Sequence, residues 1–399
     1  MPRARRDPRR PHDVGLPAAG ALAGEYAEDL LLGTVRDVHR AWADRAFGLI
    51  DRATGGSASV PQRLHDRISA GVYAGVGGGL RATAAGLRAA ERRGLGPRLQ
   101  ERPAGRHFLS AVNGFLGDRL RDNRPELAID LAVRHGGADV PLTRHALSTA
   151  FPEASGDLVV FLHGLGESDE SWNLRRGRHG GTYGSRLADE SGWTPVYLRA
   201  NTGLPVADNG VALASLLHRL VDAWPAEVRR IGLVGHSMGG LIVRAACAVD
   251  TEALGPAPWT DRVTNVVTLG TPHLGAPLER VVHAGSRALG VLPESAPFGR
   301  VLEYRSVGIL DLRRGLAGDV QNLPHARYHL VGATLTGSHR HPVSEALGDL
   351  FVRYPSAVGR ARRGSPMFPD ADVLHVPGAD HFALLNHPDV YDALRTWLG

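Results

Sequence analysis

Hydrophobic positions recur along the chain in two rhythms, and the change falls near residue 125. Before it, Leu31, Val35, Val38, Trp42, Ala46 and Leu49 return at three- and four-residue steps, the stripe of an amphipathic helix. The run "ATGGSASVP" breaks the stripe, and a second follows with Leu64, Ile68, Val72 and Val76. Gly71, Gly75 and Gly79 share that stretch at four-residue spacing. Such spacing fits close packing on a neighbour, or the place where the helix gives out. A third helix is predicted from Phe108, Leu109, Val112, Phe115, Leu116 and Leu120. No internal repeat is visible.

Past Pro125 the pattern shortens. "LAIDLAVRHGGADVPL" reads as two strands around a Gly-Gly turn. Short apolar runs then alternate with helical stretches. "DLVVFLHG", "WTPVYLRA", "RRIGLVG", "VTNVVTLG", "ARYHLVGAT" and "DVLHVPG" are strands; "NGVALASLLHRLVDAW", "MGGLIVRAACAV" and "PDVYDALRTWL" are helices. This alternation predicts an α/β class with a mostly parallel sheet covered by helices on both faces. It lapses over about 275–322, which reads as an inserted lid. The expected organisation is a helical N-terminal extension over 1–125, with 1–12 disordered, and an α/β domain over 126–399.

Composition narrows the class. A chain of 399 residues, 43% of them hydrophobic, fits one large α/β domain with an appendage or two domains. The net charge is +5 and all 46 basic residues are Arg. No aromatic-interleaved basic stripe accompanies them, so no nucleic-acid partner is expected. The single Cys247 forms no intrachain disulfide and reads as a small buried hydrophobe. No apolar core follows the basic start "MPRARRDPRRPH", so no secretory leader is expected, and no apolar run is long enough for a transmembrane helix. A cytoplasmic protein is expected, with peripheral membrane contact through the N-terminal stripes left open.

The candidate chemistry centres on "IGLVGHSMGG". With 50 glycines in the chain, a bare G-x-S-x-G would arise by chance in roughly a quarter of such sequences, so its context matters. The strand before Gly235 and the helix after Ser237 place the serine on a sharp strand-to-helix turn. Small residues are needed two positions either side, and Gly235 and Gly239 supply them. The hydroxyl then projects at a helix N-terminus, where N–H groups favour developing negative charge.

A serine nucleophile needs a base past a late strand. "DVLHVPGADHFALLNHP" offers His375 within the strand, His381 in the loop after it and His387 at the start of the last helix. His381 has the expected position. The orienting acid should lie between Ser and His, after the preceding strand. Asp349 fits best and Asp370 and Asp372 are the alternatives; Asp380 adjoins His381, and neighbouring side chains in a loop rarely meet head-on. The oxyanion needs two N–H donors, expected from Met238 and from Leu165 in the loop "HGLG". His163 and His236 read as buttresses of loop and elbow.

The segments "HGLGESDESW", "LRANTGLPVADNG", "GHSMGGLIVRAA", "LGTPHLGAP" and "HFALLNHPDVYDALRTWL" resemble, in this order, the lipase and esterase branch of the α/β-hydrolase superfamily, close to GPI inositol-deacylase-like proteins. The resemblance covers roughly residues 127–399. It implies an esterase or lipase with Ser237, Asp349 and His381 as triad, and "TPHLGAP", with His273, bordering the site and opening the lid. One segment departs from the pattern: such proteins often read Gly-Asp-Gly-x-Val-Pro around the acid, and this chain reads Gly-Asp-Leu-Phe-Val-Arg.

The expected reaction is hydrolysis of a small-molecule ester or lipid through an acyl-enzyme on Ser237, with no metal and no organic cofactor. His339 and His341 lie close in sequence without a carboxylate or Cys at ligand spacing. An acyltransferase with the same triad and a binding protein on a hydrolase fold are the alternatives.

Overall fold

In a computed structural model of the protein, the described residues are 17–18, 20–21, 59–93, 99–101, 103–249, 259–276, 306–316, 320–361 and 365–399. The first dozen residues, the stripe over 31–49 and most of the expected lid lie outside them. The chain divides into two compact units, one of residues 1–101 with 280–305, the other of 102–279 with 306–399. In the first, α1 (Ser59–Arg92) runs unbroken through Gly71, Gly75 and Gly79. The glycines therefore do not end the helix, which continues into an Ala-, Leu- and Arg-rich stretch of high helix propensity.

The larger unit opens with α2 (Pro103–Asn123). The sequence reading groups this helix with the N-terminal extension, whereas it folds with the sheet-bearing unit. Its anchor is polar. The buried Asn113 amide donates to the carbonyls of Leu109 and Leu127 at 2.9 Å, and its oxygen accepts the Ile129 N–H at 3.0 Å. The Asn201 amide also donates to the Gly117 carbonyl at 3.3 Å. The buried face carries Leu109, Asn113, Gly117 and Leu120, while Phe108 and Phe115 of the expected stripe are 41% and 58% exposed. Small and amide-bearing residues let the helix backbone come close, which bulky side chains would prevent.

A hairpin follows, β1 (Ala132–His135) and β2 (Ala138–Val140), turned by Gly136 and Gly137, both at positive φ. Next come α3 (Arg144–Ala150), β3 (Asp157–Leu162), α4 (Tyr183–Ser191), β4 (Thr194–Arg199), α5 (Val206–Ala223), β5 (Arg230–His236) and α6 (Met238–Cys247). The chain continues through β6 (Val263–Leu269), α7 (Val307–Arg314), β7 (Arg327–Thr334), α8 (Pro342–Leu347), α9 (Tyr354–Ala357), β8 (Asp372–Pro377) and α10 (Pro388–Leu398). Helix α4 was not anticipated. Its signal is a reciprocal cap, in which Thr182 and Ser185 each accept the other's N–H through their hydroxyls, at 3.0 and 2.9 Å.

The strands form one eight-stranded sheet in the order β2-β1-β4-β3-β5-β6-β7-β8. The pairs made by β1 are antiparallel and all others are parallel. This is the α/β-hydrolase fold. Alternation along the strands feeds two cores. Leu158, Val160, Leu162 and Leu233 pack with α5 and α6 residues such as Leu217 and Ile242. Val159, Phe161, Val234 and Val331 pack on the other face with Tyr183, Leu187, Tyr391 and Leu394. Because β3 through β8 run parallel, the loops after β3, β5, β7 and β8 all emerge at one edge. Among the described residues, no helix is long and apolar enough to cross a membrane.

Candidate active site

Ser237 follows β5 directly and precedes the first residue of α6. Its backbone sits at φ 52 and ψ −123, a region costly for any residue with a Cβ. The strained turn is held by a hydrogen bond from the Ser237 N–H to the Leu269 carbonyl, 2.8 Å, across to β6. The flanking glycines are a steric requirement. A Cβ on Gly235 would lie 2.5 Å from the Gly240 backbone, and one on Gly239 would lie 2.4 Å from the Leu162 carbonyl oxygen. Ser237 is half-buried in an otherwise buried elbow.

The loop after β3 abuts the serine: a Cβ on Gly164 would sit 2.9 Å from the Ser237 Cβ. The Gly164 N–H donates to Glu167 Oε2 and the Gly166 N–H to Thr202 Oγ1, both at 2.9 Å. The Leu165 N–H between them has no acceptor among the described residues. The Met238 N–H opens α6, where the first amides lack intrahelical partners. The two expected oxyanion donors thus lie on the two segments that meet at Ser237.

His163 is fully buried behind the loop. Its Nε2 accepts the Ala200 N–H at 3.0 Å, which places the proton on Nδ1, 2.9 Å from the Gly164 carbonyl that accepts it. Burial holds its pKa below the ordinary value, so this buttress is neutral.

His381 lies in the turn after β8, with Nδ1 2.7 Å from Asp349 Oδ2. Asp349 follows β7, is fully buried, and accepts the Phe351 and Val352 N–H groups on Oδ1 at 3.0 and 2.8 Å. A further bond joins the same two residues through the backbone, from the His381 N–H to the Asp349 carbonyl at 3.0 Å. The unexpected Leu350 has φ 90. It occupies the position where the related pattern carries Gly, so this chain keeps the turn at a cost in backbone strain.

The other candidates are engaged elsewhere. Asp372 pairs with His329 at 3.0 Å. Asp380 caps the His381–Leu384 turn, accepting the Ala383 N–H at 2.8 Å, and pairs with Arg175 at 3.3 Å. Asp370 is exposed. His375 bonds Thr334 within the sheet at 2.8 Å, and His387 caps α10.

His273, expected beside the site, is engaged by Thr268, Arg244 and Phe368. It is fully buried, 3.1 Å from Thr268 Oγ1 and 3.4 Å from Arg244 Nη1, with Phe368 against its ring. Burial and the adjacent guanidinium push its pKa well below the ordinary value, which suits a neutral packing residue. Among the described residues, no three His, Cys, Asp or Glu side chains group in a way that could hold a metal ion.

Two features escaped the sequence reading. One is an aromatic rim: Phe351 and Phe382 lie with ring centroids 5.3 and 5.7 Å from that of His381, each more than a third exposed, and Leu350 between Asp349 and Phe351 is 50% exposed. The other is Glu167, whose carboxylate lies 3.0 Å from His236 Nδ1 and also takes the Gly164 N–H. Burial would raise the Glu167 pKa, but the His236 charge and hydrogen bond overcome it and hold it down at about 2. Only "HGLGE" and the His before Ser237 could have signalled this pair, and neither has a spacing rule that joins them.

Comparisons with known proteins bear on this site. Residues 153–295 match the family model described as "Putative serine esterase (DUF676)", a span that includes Leu165, Glu167 and Ser237 but ends before Asp349 and His381. No curated protein matches. Among solved structures, the lipase BlEst2 of Bacillus licheniformis in propeptide form is 19% identical at a TM-score of 0.45, covering 61% of this chain and 51% of that one. This chain therefore spans about half the length of that relative. The mature form is 20% identical at a TM-score of 0.44, covering 61% and 91%. The esterase Pf2001 of Pyrococcus furiosus is 16% identical at a TM-score of 0.39, covering 62% and 85%.

Proposed function

We propose that this protein is a serine esterase that cleaves carboxylic esters bearing an apolar acyl chain. The observation that carries the reading is the strained backbone of Ser237 at the head of α6, with the Gly164 loop packed against its Cβ. Backbone strain at a non-glycine residue persists only where its surroundings enforce it, and it concentrates at reacting positions. The serine-esterase family match over this stretch supports the same reading.

In the proposed reaction, Ser237 Oγ attacks the ester carbonyl while His381 Nε2 takes the hydroxyl proton. The short bond from His381 Nδ1–H to Asp349 selects the tautomer that leaves Nε2 free as a base. The Leu165 and Met238 amides donate to the oxyanion. His381 then protonates the departing alkoxide, and water, activated by the same His, releases the acid. Phe351, Phe382 and Leu350 line an apolar approach beside the base, which favours acyl or lipid substrates over charged ones.

The test is labelling by a fluorophosphonate together with turnover of p-nitrophenyl esters of graded chain length. Wild type should be labelled and active, and Ser237→Ala should lose both. Equal labelling and turnover by Ser237→Ala would overturn the proposal.

A further inference from the structure

His236 is enclosed on every side by the site. Its Nδ1 faces the Glu167 carboxylate at 3.0 Å and its Nε2 faces the His381 carbonyl oxygen at 3.3 Å. Its ring lies 4.7 Å, centroid to centroid, from that of His381, with Trp172 and Phe382 on its flanks at 6.5 and 6.3 Å. Both nitrogens therefore point at oxygens. A carbonyl can only accept, and a carboxylate that already takes the Gly164 N–H is best satisfied as an acceptor. A neutral ring has one N–H, and would turn a lone pair toward one of these oxygens. Only the imidazolium donates to both. The contrast with His163 is direct, since His163 Nε2 receives an N–H and that ring must be neutral.

We propose that Glu167 and His236 form a buried carboxylate–imidazolium pair that acts as a positioning element for the serine site, tying the oxyanion loop to the backbone of His381. The inference rests on the esterase reading above for its catalytic consequence. Glu167 holds the Gly164 amide, and so the turn that aims the Leu165 N–H. His236 adjoins Ser237 in sequence and holds the His381 carbonyl. One ion pair thus joins the segments that carry the nucleophile, the oxyanion donor and the base.

The charged and titratable groups around the pair are consistent with this. Burial disfavours a charged His236, but the Glu167 charge and hydrogen bond, with smaller help from the His381 carbonyl and Asp349, outweigh it, so its pKa is raised. His163, neutral by its hydrogen bonds, is the other titratable group beside Glu167, and the His381 ring is the titratable group against His236.

Glu167→Gln is the informative change. The amide is isosteric; its oxygen can still accept the Gly164 N–H, and its NH2 can donate to a neutral His236 that keeps its Nε2–H on the His381 carbonyl. The charges are lost while the packing is kept. Nuclear magnetic resonance of full-length protein with 15N-labelled histidine, assigned with His236→Asn, should show both His236 nitrogens protonated at pH 7.5 in wild type. In Glu167→Gln, His236 should be neutral and the Gly164 amide shifted. With the best p-nitrophenyl ester, kcat should fall about 10- to 100-fold with KM within about threefold, because neutral hydrogen bonds hold the oxyanion loop and the His381 backbone less firmly than the charge-assisted ones and let the reacting groups drift by a fraction of an ångström. Glu167→Asp keeps the charge and should retain more kcat than the Gln variant.

A purely structural role would lower the melting temperature without changing the protonation of His236 or separating kcat from KM. A neutral His236 in wild type, a Gln variant with kcat within twofold of wild type, or an Asp variant no better than Gln would each overturn the inference. If wild type turns over no ester, the esterase reading fails instead, while the histidine spectra still decide whether the pair is ionic.

Discussion

Asp349 illustrates what single residues disclose. Its rank among four Asp residues came from chain order, its place after a strand and the family resemblance, while the departure of its neighbours from the related pattern argued against it. In the fold it is the carboxylate 2.7 Å from His381, and its other oxygen is fixed by the Phe351 and Val352 amides. Replacing it by Asn would reverse the tautomer preference of His381. The expected result for Asp349→Asn is a fall in kcat of about 10³- to 10⁴-fold with the fold retained, checked by steady-state kinetics beside circular dichroism. Gly239 makes a steric prediction at the same scale. Gly239→Ala would press a methyl against the Leu162 and His163 carbonyl oxygens at 2.4 and 2.5 Å. Fluorophosphonate labelling should be lost and the melting temperature lowered, because the elbow cannot close without moving β3.

Among the elements, strands and strongly periodic helices of the larger unit were legible, whereas the short helices α3, α4, α7, α8 and α9 were not. Helix α4 is short and its apolar residues, Tyr183 and Leu187, are too few to set a rhythm. Helix α2 was legible as a helix but not as part of the larger unit. Its hydrophobic stripe suggested that Phe108 and Phe115 face inward, whereas the contact is made by Asn113 and Gly117. Asn113 saturates its amide with three backbone partners, so its loss leaves buried groups unpaired. Asn113→Ala should cost about 1–3 kcal/mol in stability, read by urea denaturation. The same substitution at the exposed Phe115 should cost far less. Indifference at Asn113 would mean that α2 is not held by this bond set.

For the molecule as a whole, stability should follow pH through the Glu167–His236 pair. Glu167 lies at about 2, below its ordinary 4.5. Its contribution is therefore present above pH 4.5 and is lost as pH falls toward 2. His236 is raised above its ordinary 6.5, so its contribution is full below that value and is lost as pH rises through its folded-state pKa. The pair should stabilise most between these limits. Thermal melts from pH 2.5 to 7 should show a steeper acid loss in wild type than in Glu167→Gln, and parallel curves would contradict the assignment.

Local pattern determined a good deal here. Alternating short apolar runs and amphipathic stripes specify a parallel sheet covered on both faces, because only that arrangement buries both sides of such strands. Chain order then placed a serine elbow, a glycine loop and a late histidine over one edge, because parallel strands send their C-terminal loops the same way. What pattern could not carry was contact between residues far apart in sequence. Glu167 with His236, Asp349 with His381, and Asn113 with Leu127 and Ile129 are hydrogen bonds set by distance and direction in space. Polar side chains follow no periodicity that announces a partner. Their pairing was decided only once the sheet and helices had packed and water was excluded, which makes an unmet hydrogen bond costly.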